Sequence, residues 1–323
     1  MRKLILGLSV ALAAAGAWCA PASAGTYPDR PIGVVVNYAP GGATDFQARV
    51  VTSVSGEKDV LGQPMYIINK PGAGGRVGWN WFATEAEKDG YTLSAYNVPS
   101  FIAQSIKGNV QYSIESFEPI ANWGSDPAVI IVKKDSEFKT IQDLVSFAKQ
   151  NPGKLTISGG GLYNGHHIAA LQLQNAIGAK IAFIATKGGA VPAMKAVLGG
   201  EVLAGINNLS DAYRAKEADT IRILAIADLE RDKEFLPDVP TLREAGYDVD
   251  DSSVNLRGLM VPKGTPQAVI DLLAAKVPVM FNNDTVLERM RAGGSPVKVM
   301  DRAAVQKMWQ ERQKVLEQLM KDL

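Results

Sequence analysis

The segment of residues 32–50 constrains the fold of this chain most, because three different patterns follow one another in it. Residues 33–37 form a short apolar run, mostly β-branched, which is typical of a strand buried on both faces. From Asp45 onward the apolar residues follow a helical spacing, and a Pro-Gly-Gly loop at 40–42 lies in between. A strand, a glycine loop and a helix in this order predict half of an α/β ligand site.

The loop between this strand and this helix is suited to bind an anion. Glycine has no Cβ, so the backbone can turn sharply there and bring its N–H groups close to a bound group. We expect Thr44 or Asp45 to cap the helix, whose first N–H groups and positive partial charge would then face the ligand. The alternative is that the Pro-Gly-Gly sequence is only a tight turn.

The first 24 residues have the pattern of an export signal: two basic residues, an apolar segment at 4–17 and a small-residue cleavage site at 22–24. We expect cleavage after Ala24. Cys19, the one cysteine of the chain, would be removed with this segment, so the mature protein would have no disulfide. Its stability would then depend on a packed core, which a chain of about 300 residues can form in two domains.

The charge balance argues against a nucleic-acid partner. Without Arg2 and Lys3 the chain has 34 − 2 = 32 basic and 33 acidic residues, and it has no run of basic residues. Neither a phosphate backbone nor an anionic membrane surface suits such a chain. After the signal no stretch of 18 uninterrupted apolar residues occurs, so we expect no membrane insertion of the mature protein.

The opening arrangement returns in the second half of the chain. Residues 155–158 have the pattern of a strand, residues 159–165 form a glycine-rich loop, and a helix follows that begins at His166 or His167. Two glycine loops at strand-to-helix junctions predict two lobes that face each other. Asn97, at the end of a third predicted strand, would stand beside the first loop, unless it merely closes a turn.

Few residues of this chain could perform catalysis or hold a metal or a cofactor. His166 and His167 are adjacent and would point about 100° apart on a helix, so they could not ligate one metal ion. The glycines from Gly72 onward resemble a dinucleotide fingerprint, but Val77 occupies the third glycine's position. A pair of Ser158 with His167 would make an exported hydrolase, the alternative function from another class. We predict no cofactor, no metal and no catalytic residue.

Micromolar affinity for an anion requires hydrogen-bond donors from more than one loop. One helix terminus stabilises a nearby anion by roughly 0.3 to 2 kcal/mol, whereas micromolar affinity requires about 8 kcal/mol. Donors from both loops, with charge-assisted bonds of roughly 1.5 to 3 kcal/mol each, must therefore converge on a carboxylate that lobe closure shields from water. This predicts a hinged, two-lobed solute receptor in which Lys187 is the one obvious cation.

A series of short segments, in their order along the chain, resembles the extracytoplasmic solute receptors of tripartite tricarboxylate transporters, also called the Bug family. The resemblance covers nearly the whole mature chain. The segments are residues 27–32 (YPDRPI), 39–45 (APGGATD), 69–75 (NKPGAGG), 89–93 (DGYTL), 236–241 (LPDVPT) with 244–246 (EAG), and 261–266 (VPKGTP).

The resemblance implies a two-lobed α/β fold of the type II periplasmic-binding-protein kind, with a mainly parallel sheet flanked by helices in each lobe. With residues 1–24 as the signal peptide, lobe 1 would comprise residues 25–124 and 251–323, and lobe 2 residues 125–250. A small carboxylate would lie in the cleft between the lobes. The protein would be a periplasmic monomer that delivers this carboxylate to the membrane subunits of a transporter.

By this resemblance each lobe would contribute one group of ligand-binding residues, with Asp45 capping its helix more than contacting the ligand. The residues of lobe 1 would be Tyr38, Ala39, Pro40, Gly41, Gly42, Ala43, Thr44, Asp45 and Asn97, and those of lobe 2 Ser158, Gly160, Gly161, Tyr163, Asn164, His167, Thr186, Lys187, Gly188, Asn207 and Asn208.

Three places in the chain depart from the family's pattern. Tyr163 and Asn164 stand where Gly-Thr is usual, Asn207 stands where Asp is usual, and Leu256 with Arg257 replaces an aromatic residue. Without the acidic residue, a ligand that carries an amino group is disfavoured, and a dicarboxylate or an aromatic carboxylate remains. A carboxylate receptor that signals through a sensor protein, without transport, is the third alternative.

Overall fold

The structure, a computed structural model, describes residues 27–321. The predicted signal peptide and Cys19 therefore lie outside the described residues. The strands and helices are, in chain order, β1 (Ile32–Val36), α1 (Ala43–Thr52), β2 (Met65–Asn69), α2 (Arg76–Glu85), β3 (Thr92–Val98), α3 (Ser100–Lys107), β4 (Phe117–Asp126), β5 (Ala128–Lys133), α4 (Ile141–Gln150), β6 (Thr156–Gly159), α5 (Gly165–Ile177), β7 (Ala182–Ala185), α6 (Ala190–Leu198), β8 (Ala204–Asn208), α7 (Leu209–Glu217), β9 (Ile221–Ala227), β10 (Asn255–Pro262), α8 (Gln267–Phe281), α9 (Asp284–Ala292), β11 (Val297–Met300) and α10 (Arg302–Leu319).

The first sheet has six strands in the order β11-β4-β10-β3-β1-β2. β1 is parallel to both β2 and β3, and its five residues are buried, as its apolar sequence predicts. Val34 and Val36 belong to the core on one face of the sheet, and Val35 belongs to the core on the other face. Because successive side chains of a strand point to opposite faces, a strand with a core on each side needs apolar residues throughout.

The second sheet has five strands in the order β7-β6-β8-β5-β9. β6 is parallel to β7 and β8, while β5 is antiparallel to β8 and β9. In β5, Ile130 and Val132 pack in one core, and Val129 and Ile131 pack in the other. The same two-sided burial thus explains the apolar sequence of this strand.

Both sheets are mixed, whereas the sequence had suggested mainly parallel ones. The chain passes from the first sheet to the second between β4 and β5, and it returns in β10. β10 runs antiparallel to both β3 and β4, because it re-enters the first sheet from the opposite direction. The two crossings lie side by side, with Asn255 opposite Asp126, and this pairing forms the connection between the lobes. The predicted lobe boundaries, at 124/125 and 250/251, stay a prediction.

The two lobes also touch at their facing loops. The backbone N–H of Ala39 donates to the carbonyl oxygen of Gly188 at 3.4 Å. The side-chain nitrogen of Gln104 donates to the carbonyl oxygen of Leu162 at 3.3 Å. These contacts join loops from opposite sheets, so the cleft between the lobes is closed in this structure.

Candidate functional site

A narrow cavity of about 30 Å³ lies where loops from both sheets meet. Space of this size holds about two water molecules. The first sheet contributes the loop after β1, the start of α1 and the end of β3, while the second contributes the starts of α5, α6 and α7. β10 contributes Asn255 and Arg257. The cavity therefore lies where parallel strands end and helices begin, as expected for a ligand site in an α/β protein.

The first loop reaches the cavity through part of its predicted residues. Pro40 and Gly41 are exposed, and Asp45 is buried behind the loop, so none of these three lines the cavity. Asn97 lines it beside Thr44, as predicted from the carboxyl ends of two parallel strands. The residues of this loop that line the cavity are Tyr38, Ala39, Gly42, Ala43 and Thr44.

The cap of α1 differs from the expectation. Its N-cap is Gly42, which has an extended backbone and no side-chain capping bond, so the predicted cap by Thr44 or Asp45 is wrong. Asp45 instead accepts from the N–H of Gly41 at 3.0 Å and pairs with Arg49 at 2.9 Å. Burial alone would raise the pKa of Asp45, but hydrogen bonds from Arg49 and Gly41 outweigh it and leave this pKa below its usual value. The carboxylate of Asp45 therefore stabilises the conformation of the loop.

Five helices begin at the cavity. Besides α1, they are α3 at Ser100, α5 at Asn164 and His166, α6 at Gly189 and Ala190, and α7 at Asn208. The N–H groups of a helix's first turn have no partner within the helix, and they carry part of the positive end of its dipole. Five such ends around one cavity create a positive potential that suits an anion. Sequence reasoning had identified α1, α5 and the loops before α6 and α7.

The histidine that lines the cavity is His166, not the predicted His167. Nδ1 of His166 accepts from the N–H of Gly160 at 3.0 Å, so its Nε2–H donates to Oδ1 of Asn208 at 3.3 Å. Burial lowers the pKa of His166 to about 4, which keeps its ring neutral at pH 7. His166 therefore orders two walls of the cavity without adding charge.

His167 supports the loop before α5. Its Nδ1 accepts from the N–H of Tyr163 at 3.1 Å, and its ring lies 4.7 Å from that of Phe183. Burial lowers the pKa of His167 to about 4 as well. Neither His167 nor Tyr163 lines the cavity, although both hold the loop before α5 in shape. Asn164 does line it, as predicted, and its side chain caps α5 through the N–H of His167 at 3.1 Å.

Several predicted residues of the second lobe lie outside the cavity, because their polar groups are used within the protein. The hydroxyl of Ser158 donates to the carbonyl oxygen of Ala193 at 2.9 Å, so it is not paired with a histidine, as the hydrolase alternative requires. The hydroxyl of Thr186 donates to the carbonyl oxygen of Gly159 at 3.0 Å, and the amide of Asn207 to that of Ala190 at 3.1 Å.

The remaining predicted residues of this lobe divide between the surface and the cavity. Lys187 is exposed and does not line the cavity. Gly161 lies against the other lobe, where a Cβ on it would come within 2.8 Å of the Cα of Gly74. The three that do line the cavity, in addition to Asn164, are Gly160, Gly188 and Asn208.

Arg257 lines the cavity although sequence reasoning had not named it as a site residue. It lies on β10, is buried, and lines the cavity. Nη1 forms an ion pair with Asp126 at 2.5 Å, and Nε lies 3.1 Å from Oγ1 of Thr44. With the oxygen and nitrogen of the Asn97 amide exchanged, its oxygen accepts from Nε of Arg257 and from the Thr44 hydroxyl, each at 3.1 Å. The signal was an arginine inside an otherwise apolar strand, which needs a buried partner.

Within residues 27–321, histidine, cysteine and acidic side chains form no group of three or more that could hold a metal ion. The cavity lining is equally unsuited to a divalent cation, since none of its described residues is acidic. In the same part of the chain no helix has the length and apolar composition required to cross a bilayer.

Comparison with known proteins identifies the family. Residues 48–323 match the tripartite tricarboxylate transporter family receptor. The chain is 34% identical to BugT of Bordetella pertussis, over 92% of this chain and 90% of that protein. Among solved structures it is similar to MatC of Rhodopseudomonas palustris with bound malate, at 27% identity and a TM-score of 0.81, over 91% of this chain and 99% of that one. It also resembles an R. palustris protein with adipate, at 25% identity and a TM-score of 0.82, over 91% and 97%. The chain belongs to the tripartite tricarboxylate transporter receptor family, as its ordered segments had indicated.

Proposed function

We propose that this protein is a periplasmic receptor that binds a small aliphatic dicarboxylate between its lobes and delivers it to a tripartite tricarboxylate transporter in the membrane. Membership of the receptor family supports the transport role. The solved relatives contain malate and adipate, both of which are dicarboxylates. The proposal makes the protein a binding protein without catalytic activity.

The convergence of five helix starts on one cavity carries this proposal. A carboxylate there would accept hydrogen bonds from N–H groups such as those of Ala43 and Thr44, which follow the N-cap of α1. No described residue that lines the cavity is acidic, so no carboxylate in the lining would repel the ligand or pair with an ammonium group. The cavity therefore favours an acid without an amino group.

The lining of the cavity favours an aliphatic dicarboxylate over an aromatic acid. The side walls of the cavity are polar amides and hydroxyls, contributed by Asn97, Ser100, Asn164, Asn208 and Asn255. Such walls suit the second carboxylate of a dicarboxylate better than an apolar ring.

A binding screen tests this function. Purified mature protein is melted in the presence of succinate, malate, adipate, butanoate and benzoate, and the acids that stabilise it are titrated by calorimetry. We expect one or more dicarboxylates to stabilise the protein, by about 2.7 kcal/mol at 100 times Kd, and butanoate and benzoate to bind more weakly. Absence of binding by every acid, or a preference for benzoate, would contradict the proposal.

The variant Gly42→Val tests whether the ligand binds at the first loop. Gly42 has φ −78°, and a Cβ on it would have no neighbour closer than Val191 at 3.8 Å, so the fold should tolerate the change. The added methyl groups would obstruct the approach of a carboxylate to the start of α1. We expect affinity for the best acid of the screen to fall at least about tenfold, with little change in Tm.

The matched control is Gly56→Val, since Gly56 is exposed and a Cβ on it would lie 3.9 Å from its nearest neighbour, Pro64. This control should bind like the wild type. Equal affinity of both variants and the wild type would show that the ligand does not approach the first loop.

A further inference from the structure

Arg257 is the charged side chain of the cavity. Among the described residues that line it, the other ionisable groups are Tyr38 and His166. Burial raises the pKa of Tyr38 to about 12 and lowers that of His166 to about 4, so both are neutral at pH 7. A ligand in the cavity would therefore meet one formal charge, and this charge is positive.

The counter-charge of Arg257 lies behind it, away from the cavity. Asp126 pairs with Nη1 of Arg257 but does not line the cavity. Its oxygens also accept from the N–H of Ser210 at 3.1 Å, from the Ser210 hydroxyl at 2.6 Å and from the amide of Gln47 at 3.0 Å. These bonds occupy the carboxylate and offset the cost of its burial, so Asp126 can hold the guanidinium in place without presenting an acceptor to the ligand.

The guanidinium retains hydrogen-bonding capacity beside the start of α1. Its bonds to described residues use Nε, toward Thr44, and Nη1, toward Asp126 and Gln47. Nη2 donates to none of the described residues in this structure. The guanidinium thus has an unused donor group at a residue that lines the cavity.

We propose that Arg257 is the specificity-determining residue of this receptor: its guanidinium donates to the carboxylate that also binds the start of α1, and its charge repels an ammonium group on the ligand. This inference rests on the proposed function and adds the basis of its selectivity. The free Nη2 end of the planar arginine fork can donate to a carboxylate oxygen, and a charge-assisted bond in a closed cleft is stronger than a neutral one. The receptor would therefore distinguish a dicarboxylate from its amino-substituted counterpart.

The test requires a variant that removes the charge without leaving Asp126 buried and unpaired. Arg257→Met combined with Asp126→Asn removes both charges together, which buried ion pairs tolerate far better than the loss of one partner. Arg257→Lys keeps the charge but loses the planar fork. Circular dichroism and Tm establish that each variant is folded.

Affinities are measured by calorimetry for two matched pairs of acids, succinate with aspartate and adipate with 2-aminoadipate. The wild type should bind at least one dicarboxylate, and should bind it at least about tenfold more tightly than its amino-substituted partner. In the double variant we expect affinity for that dicarboxylate to fall about 10- to 100-fold and the preference over the amino acid to shrink. Arg257→Lys should bind about tenfold more weakly but keep the preference.

Each other outcome overturns this inference. An unchanged preference in a folded double variant would show that Arg257 supports the cavity without selecting the ligand. If the double variant does not fold, Arg257→Lys tests the inference instead. Wild-type affinity in Arg257→Lys would show that the guanidinium does not contact the ligand. If neither dicarboxylate nor any acid of the wider screen binds the wild type, the proposed function fails as well. A wild type that binds dicarboxylates and aspartate alike disproves the selectivity alone.

Discussion

Replacing Asp126 with alanine is expected to lower the free energy of unfolding by about 3 to 5 kcal/mol. The reason is that Asp126 connects three parts of the molecule, namely Gln47 on α1, Ser210 at the start of α7 and Arg257 on β10. Its removal would leave the guanidinium of Arg257 buried without a counter-charge. Urea denaturation with an unchanged m value measures the effect.

A matched control for this prediction is Asp135→Ala. Asp135 forms an ion pair with Lys133 at 3.2 Å, but the two side chains are 72% and 47% exposed. Exposed pairs are screened by water, so this variant should lose less than about 1 kcal/mol. Equal losses in both variants would show that the buried network around Asp126 does not stabilise the connection between the lobes.

The second large effect is a loss of stability between pH 6.5 and 4.5, caused by His166 and His167. Burial lowers the pKa of each to about 4, whereas a histidine in the unfolded chain has a pKa near 6.5. In this range the unfolded chain binds more protons than the folded protein, so the free energy of unfolding falls as pH falls. The stabilisation is complete above pH 6.5, and at pH 4.5 the loss is roughly 2 to 3 kcal/mol per histidine.

The measurement is urea denaturation of the wild type and of His166→Asn/His167→Asn at pH 4.5, 5.5, 6.5 and 7.5. Asp211 and Asp228, whose pKa values burial raises, act in the opposite direction in both proteins. The difference between the two proteins therefore isolates the histidines, and it should shrink as pH falls. A difference that stays constant with pH would show that neither histidine titrates below its usual range.

Local patterns predicted much of the fold. The strand at β1, the loop after it and the helix α1 are where the sequence placed them. Thr140 caps α4, since its hydroxyl accepts from the N–H of Asp143 at 3.2 Å. Asp301 caps α10 by accepting from the N–H of Ala304 at 2.8 Å. Each of these features depends on residues a few positions apart, so the sequence contains the information directly.

The pairing of strands across the lobes was not predictable in the same way. β10 pairs with β3 and β4 in antiparallel orientation although it follows them by more than a hundred residues. Alternation of strands and helices indicates parallel sheets, but it gives no direction for a strand that returns from another lobe. The mixed character of both sheets follows from these crossings.

The residues of the site show the same difference between local signals and contacts of distant residues. The loop residues Gly42, Ala43 and Thr44 were identified because strand, glycine and helix signals adjoin them. Which of His166 and His167 faces the cavity depends on where α5 begins. The helix begins at Gly165, and Asn164 is its N-cap.

Arg257 was noticed only as a departure from the family's pattern. Its partners Asp126 and Gln47 are 131 and 210 positions away along the chain. Contacts at such separations exist only in the folded protein, and a single sequence gives no indication of them. An arginine within an apolar strand indicates that a buried partner exists, but it does not show which residues provide it.

The central claim is that helix starts from both lobes close over a carboxylate, and a crystal structure of the complex tests it most directly. The crystals would be grown with the dicarboxylate that binds best in the screen. The account predicts a carboxylate oxygen within about 3.2 Å of the N–H groups of Ala43 or Thr44, with contacts to Asn164 or Ala190 from the other lobe. A dicarboxylate bound outside this cavity, or contacted by one lobe alone, would contradict it.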